Sequence, residues 1–98
     1  MRVWVNGSFD VIHRGHIELF RYAKSLGDEL IVGTDSDENI SKHKGDNRPI
    51  NTLNDRIFTL QSVKYIDKVY PFYDDSSLMA LIKWCQPDVM VIGSDWRG

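Results

Sequence analysis

The sequence predicts an α/β fold in which a parallel sheet carries helices on both faces. Three observations lead there. Short runs rich in Val, Ile, Leu and Trp recur along the chain, amphipathic stretches of helical period separate them, and the alternation starts and ends on a strand. Strand, helix, strand, helix, strand, helix, strand is the order that builds right-handed crossovers between parallel neighbours. With 98 residues, 42% of them hydrophobic, the chain has material for one core and too little for two.

The elements can be justified in order. Met1 to Asn6 is short, rich in Val and Trp, and runs into Gly7, so it reads as a buried strand ending in a loop. Between Gly15 and Leu26 the residues Leu19, Tyr22, Ala23 and Leu26 fall at i, i+3, i+4 and i+7, which predicts a helix with one buried face and Gly27 as its left-handed stop. Glu29 to Thr34 is an apolar strand of the kind buried on both sides, and the polar stretch Asp35 to Asn51, without a sustained period, predicts a long loop. Thr52 can cap a helix with the stripe Leu53, Ile57 and Leu60. Asp67 to Phe72 is a third strand, placed near an edge by Pro71. Asp75 is the expected cap of a helix with the stripe Leu78, Leu81, Ile82 and Cys85, closed by Pro87 before a fourth strand, Val89 to Ile92. Trp4, Met79 and Cys85 read as core residues.

No repeat, low-complexity tract or linker interrupts this pattern. The arrangement is Rossmann-like, a nucleotide-binding type of architecture, with the ligand expected at the carboxyl ends of the strands near the reversal of strand order. Gly7, Asp35 and Gly93 all follow strand ends. Lys and Arg number 12 against 14 Asp and Glu, so no overall field favours nucleic acid or an anionic membrane. No apolar run approaches the ~20 residues that span a bilayer, and no apolar signal core opens the chain, which leads to the expectation of a soluble, cytoplasmic protein. A single cysteine, Cys85, fits a reducing compartment.

The chemistry concentrates in Gly7-Ser8-Phe9-Asp10-Val11-Ile12-His13-Arg14-Gly15-His16, which joins the first strand to the first helix. His13 and His16, three apart at a helix start, point the same way, towards free backbone N–H groups that favour an anion. Gly7 and Gly15 suit close approach of backbone to a ligand or a positive φ. The Gly-Lys-Ser/Thr ending of a Walker A loop is absent. Two other readings stand beside anion binding: histidines that merely cap the loop, and a zinc pair, for which neither His43 nor Cys85 is clearly placed as a third ligand.

The string GSFDVIHRGH resembles the HxGH signature of the nucleotidyltransferases that include glycerol-3-phosphate cytidylyltransferase, phosphoethanolamine cytidylyltransferase and the heptose-phosphate adenylyltransferase domain. AKSLGDELIVGTDSDE is similar to that family's second strand and following turn, KGDNRPINTLNDRIFTLQSVKYID to its lysine loop and arginine helix, and VMVIGSDWRG to its fourth-strand end. Four motifs in this order cover nearly the whole chain. The resemblance implies transfer of CMP or AMP from CTP or ATP to a phosphorylated sugar or polyol, with pyrophosphate released and Mg²⁺ accompanying the triphosphate. It further implies His13, His16, Lys44 and Arg56 as catalytic donors to phosphate, and Gly7, Ser8, Phe9, Asp10, Gly15, Gly93, Asp95 and Trp96 as nucleotide-binding residues. The place of Trp96 after the fourth strand suits stacking on the base, or equally packing on a following C-terminal segment. Asp35 and Asp37 would face the acceptor, and no protein-held metal is implied.

Ordinary readings accompany several of these residues. Lys42, His43 and Lys44 form a solvated basic stretch, Arg56 suits a surface helix position paired with Asp55 or Asp67, and Asp10 either orients a histidine or, like Asp35 and Asp37, is a solvated turn residue. Family members continue beyond the position of Gly98 into a helix and a Ser/Thr-rich segment, so residues 1–98 read as one nucleotidyltransferase-like domain lacking that segment. A non-catalytic nucleotide-binding or interaction module derived from the family is the alternative, and the resemblance allows a homodimer. Residues 44–51 are more like the heptose-phosphate adenylyltransferases, whereas Gly93-Ser94-Asp95-Trp96 is more like the glycerol-phosphate cytidylyltransferases.

Overall fold

In β1 (Arg2–Gly7), Val3 and Val5 are buried on one face and Trp4 on the other, and β2 (Glu29–Asp35) repeats the alternation with Leu30 and Val32 against Ile31. Successive side chains of a strand point to opposite faces, so such runs require cover on both sides. The structure, a computed structural model, describes residues 1–91 and supplies that cover. The first face packs on α1 (Arg14–Ser25), through Leu19, Phe20 and Ala23, and on Leu60 of α3 (Leu53–Gln61). The second packs on α4 (Asp75–Cys85) through Cys85, Leu78, Leu81 and Ile82.

The remaining elements are α2 (Asp37–Lys44), β3 (Lys68–Phe72) and β4 (Val89–Met90). All strand pairs are parallel, in the order β3-β2-β1-β4, so the order reverses at β1, whose carboxyl end becomes the expected ligand edge. β3, with its Pro71, is indeed an edge strand. Trp4 lies fully buried across β2, where a Cβ on Gly33 would come within 2.6 Å of the indole. That close approach, not a turn, is why glycine stands in the middle of a strand.

Several expectations are corrected. Asp35 to Asn51 is not one long loop: Ser36 caps α2 by accepting from the Asn39 N–H, with Asp37 and Glu38 in the first turn and Lys42, His43 and Lys44 in the last. Charge matched to the helix dipole, together with the cap, makes a short helix that has only one buried apolar residue, Ile40, and therefore shows no period. Gly27 does not adopt positive φ; a Cβ there would strike the Met1 carbonyl oxygen at 2.6 Å, so it is chosen for space. The buried stripe of α1 is His16, Leu19, Phe20 and Ala23, while Tyr22 faces outward. Asp74, not Asp75, caps α4, and Met79 is exposed, whereas Cys85 is buried as expected. Ile92, Gly93, Asp95 and Trp96 lie outside the described residues.

Candidate active site

Among the described residues, five polar or charged ones are buried: Asp10, His16, Thr34, Ser36 and Arg56. All belong to the carboxyl edge of the sheet or to the segments that leave it.

The first group is the histidine pair at the start of α1. His13 is the N-cap, and its Nδ1 accepts from the Gly15 N–H at 3.0 Å. His16 Nδ1 accepts from the His13 N–H at 3.1 Å, closing a reciprocal capping box. The rings lie 4.1 Å apart, as a spacing of three on a helix requires. The capping reading is therefore part of the structure, and it carries a chemical consequence. A ring nitrogen that accepts a hydrogen bond bears no proton, so each imidazole carries its proton on Nε2, as a donor. His13 is exposed; His16 is buried and meets Phe9 edge-on, with ring centroids 5.6 Å apart. Phe9 itself sits at φ 49°, a left-handed conformation that costs a non-glycine residue on the order of 1–3 kcal/mol and collects at functional sites.

The second group is a cavity of about 350 Å³ at the carboxyl ends of β1, β2 and β3. Gly7, Ser8, Phe9, Asp35 and Lys44, all singled out from sequence, line it, and Asn6, Asn39, His43 and Asp75 join them. Lys44 Nζ donates to Ser8 Oγ at 3.0 Å. Burial pushes the Asp35 carboxyl above the usual carboxylate range, although Asn39 Nδ2 donates to both its oxygens and the Ser36 N–H to one. The cavity thus sets a partly buried carboxylate in one lining with His43 and Lys44, an arrangement that suits a binding site. Asn39, His43 and Asp75 carry no sequence signal for this place, because Asn39 and His43 share it only once α2 is a helix and because the approach of α4 is a tertiary fact.

The third group is built on Arg56. It is not a surface residue, and its ion pair is with Asp37 at 2.7 Å, not with Asp55 or Asp67. Its guanidinium also donates to the carbonyls of Ser8 (2.8 Å), Asp35 (2.8 Å) and Asn51 (3.1 Å) and to Thr34 Oγ1 (2.9 Å). One side chain thus ties together the segments leaving β1 and β2 and the segment entering α3. Asp10 is not a solvated turn residue: its side chain is fully buried and accepts from the N–H groups of Ile50 and Asn51 and from Arg48. Burial works against its charge, but those donors outweigh burial and hold its carboxyl below the ordinary range. Among the described residues, no group of three or more His, Cys, Asp or Glu side chains is arranged to hold a metal ion, and no helix is long and apolar enough to cross a membrane.

Comparison with known proteins gives these groups a context. Residues 4–97 match the family model described as cytidylyltransferase-like. The chain is 44% identical over 96 residues to the bifunctional protein HldE of Sulfurimonas denitrificans and 45% identical over 96 residues to that of Nitratiruptor sp.. Each match covers 98% of this chain, which spans only about a fifth of the length of those curated relatives. The crystal structure of the lipopolysaccharide core biosynthesis protein from Thermoplasma volcanium superposes with a TM-score of 0.86 and 30% identity, over 100% of this chain and 78% of that one. A family match across nearly every residue, on the parallel sheet and histidine-capped first helix described above, places this chain in the cytidylyltransferase-like family of nucleotidyltransferases.

Proposed function

We propose that the chain transfers a nucleotidyl group from CTP or ATP to a phosphorylated sugar or polyol and releases pyrophosphate. The observation that supports this reading is the histidine pair that caps α1, of which His16 meets Phe9, itself part of the lining of a cavity that Lys44 and Asp35 share. A phosphate oxygen of the acceptor attacks the α-phosphorus in line. The new P–O bond forms as the bond to the β-phosphate oxygen breaks, and the electron pair leaves on pyrophosphate. The acceptor phosphate is already ionised near neutral pH, so no general base and no covalent enzyme nucleophile is required.

The task left to the protein is to aim donors at oxygens that gain charge. In this reading the exposed His13 donates through Nε2, the buried His16 accepts from the His13 N–H and so fixes its place, Lys44 adds a cation, and the first turn of α1 adds its N–H dipoles. Arg56, with its donors turned to backbone and Asp37, acts by holding the surrounding segments in place, and Asp37 holds Arg56. Asp35 and Asn39 suit acceptor hydroxyls, with Lys44 or His43 at the acceptor phosphate. Mg²⁺ would enter as the counter-ion of the triphosphate, carried by phosphate oxygens and water. Gly93, Asp95 and Trp96 keep their proposed place at the nucleoside.

A sugar phosphate is the preferred acceptor. The supporting observations are the likeness of residues 44–51 to heptose-phosphate enzymes, the identity with the HldE proteins and the name of the Thermoplasma volcanium neighbour. The test is pyrophosphate release from a panel of Mg·CTP and Mg·ATP against heptose 1-phosphate and glycerol 3-phosphate. Release that requires both a triphosphate and an acceptor supports the proposal. Nucleotide binding with no release under any pairing would instead identify a binding module.

A further inference from the structure

The segment 48–51 is a nest of N–H groups that the protein fills with its own anion. Asp10 Oδ1 accepts from the Ile50 N–H at 2.9 Å and the Asn51 N–H at 2.8 Å, Oδ2 accepts from Ile50 at 2.8 Å and from Arg48 at 3.2 Å, and the Asn51 side chain donates back to the Asp10 carbonyl. Successive backbone N–H groups converging on one point form an anion site of the type that often receives phosphate. Here the occupant is internal and its side chain has no exposed surface, so Asp10 is covered where a substrate would have to touch it.

The same segment is tied at its other side to the end of α2. Ser41 Oγ donates to the Arg48 carbonyl, the Arg48 N–H donates to the Gly45 carbonyl at 3.1 Å, and the Gly45 N–H donates to the Ser41 carbonyl at 2.9 Å. Lys44 stands between these contacts and reaches back to Ser8, two residues before Asp10. The contacts close a ring: first loop, strap 48–51, last turn of α2, Lys44, first loop. Gly45, at φ 100°, makes the turn that allows closure.

We propose that Asp10 is a positioning residue for Lys44: by clamping the strap it fixes the last turn of α2 and thereby sets the reach of the Lys44 ammonium into the cavity. A charged clamp suits this task because hydrogen bonds to an ionised acceptor are shorter and roughly twice as strong as neutral ones. The benefit to catalysis rests on the proposed role of Lys44 at phosphate; the mechanical coupling does not.

The decisive experiment is amide hydrogen exchange on Asp10→Asn. Exchange is expected to accelerate about tenfold or more at Ile50, Asn51 and also Gly45, while Val3 to Val5 in the sheet stay protected. Gly45 exchanging at the wild-type rate would overturn the proposal, because the clamp would then end at the strap. A second readout is a double-mutant cycle with Lys44→Ala on kcat/KM for the triphosphate. Asp10→Asn is expected to lose about tenfold or more when Lys44 is present and little when it is absent; losses that simply multiply would overturn the proposal. If Asp10→Asn loses protection throughout the sheet, Arg48→Ala, which removes the half-exposed arm of the same clamp, takes its place in both comparisons. A wild-type chain that releases no pyrophosphate refutes the enzyme reading, and exchange at Gly45 alone then decides the positioning role.

Discussion

The two ends of the sheet use charge in opposite ways. At the amino end, the Met1 ammonium pairs with Asp28 at 2.7 Å, and Glu29 stands between Arg2 at 3.3 Å and Lys68 at 3.2 Å. Those side chains are partly or largely exposed, so water screens them and the pairs contribute little. At the carboxyl end, Asp10, His16 and Arg56 are buried and hydrogen-bonded, and among the described residues no buried polar side-chain atom lacks a partner. Burying charge costs free energy even when it is paired, and apolar replacements of equal shape are often no worse for stability. The amino end thus shows what folding alone requires of surface charge. The excess polarity at the other end is what the proposed function would account for.

The largest effect that would break this contrast is expected at Arg56. Arg56→Lys cannot serve the Ser8, Asp35 and Asn51 carbonyls and Asp37 together with one ammonium, and unfolding in urea should show a loss of at least about 1–3 kcal/mol, the cost of one buried acceptor left unsatisfied. An Arg56→Lys chain as stable as wild type would make the carboxyl end no different from the amino end. Next comes His13→Ala, expected to slow turnover by roughly 10²–10³-fold, the cost of one preorganised donor. The accompanying loss of stability should be only about 1 kcal/mol, for the cap. A loss in stability without a loss in turnover would reduce His13 to a cap.

Acid sharpens the account at single carboxylates, not between the two ends. Because the Asp10 carboxyl is held below its ordinary value in the fold, its contribution is fully present above the unfolded value of about 4 and is lost as pH falls through the folded one. Asp67 has the same sign: burial opposes its charge, but the Lys24 ammonium and the Leu30 N–H outweigh burial. Asp35 has the opposite sign, since burial raises its pKa and its charge becomes less costly to shed as the solution is acidified. Unfolding of Asp10→Asn followed from pH 7 to pH 3 should therefore lose less stability than wild type over the acid limb. The smallest effect is expected at Glu29→Gln, within about 1 kcal/mol by thermal unfolding and with nucleotide binding unchanged.

Much of this was legible because local pattern and tertiary role coincide. The runs around Val3 and Ile31 must be buried on both faces, and only a parallel sheet with helices on each side does that. The histidine spacing, the strand end before it and the neighbouring glycines mark a candidate site in the sequence itself. Arg56 was legible as important but not as buried, because a helix position reveals its face only when its acceptors, which come from residues 8, 35 and 51, are known. The helix α2 escaped notice because one apolar residue gives no period, and its signal lay in the Ser36 cap and the acidic-to-basic gradient. Phe9 in a left-handed conformation could not have been read from a residue type that avoids it.

The central claim is that nucleotide and acceptor bind at the carboxyl edge and leave the amino edge untouched. Titration of the isotopically labelled chain with Mg·ATP or Mg·CTP, followed through backbone amide chemical shifts, tests it most directly. The account predicts that the large shifts fall on Gly7 to His16 and on Lys44 to Asn51, with Arg2, Asp28, Glu29, Lys68 and Trp84 unmoved. Largest shifts at the amino edge, or none anywhere at millimolar triphosphate, would contradict it.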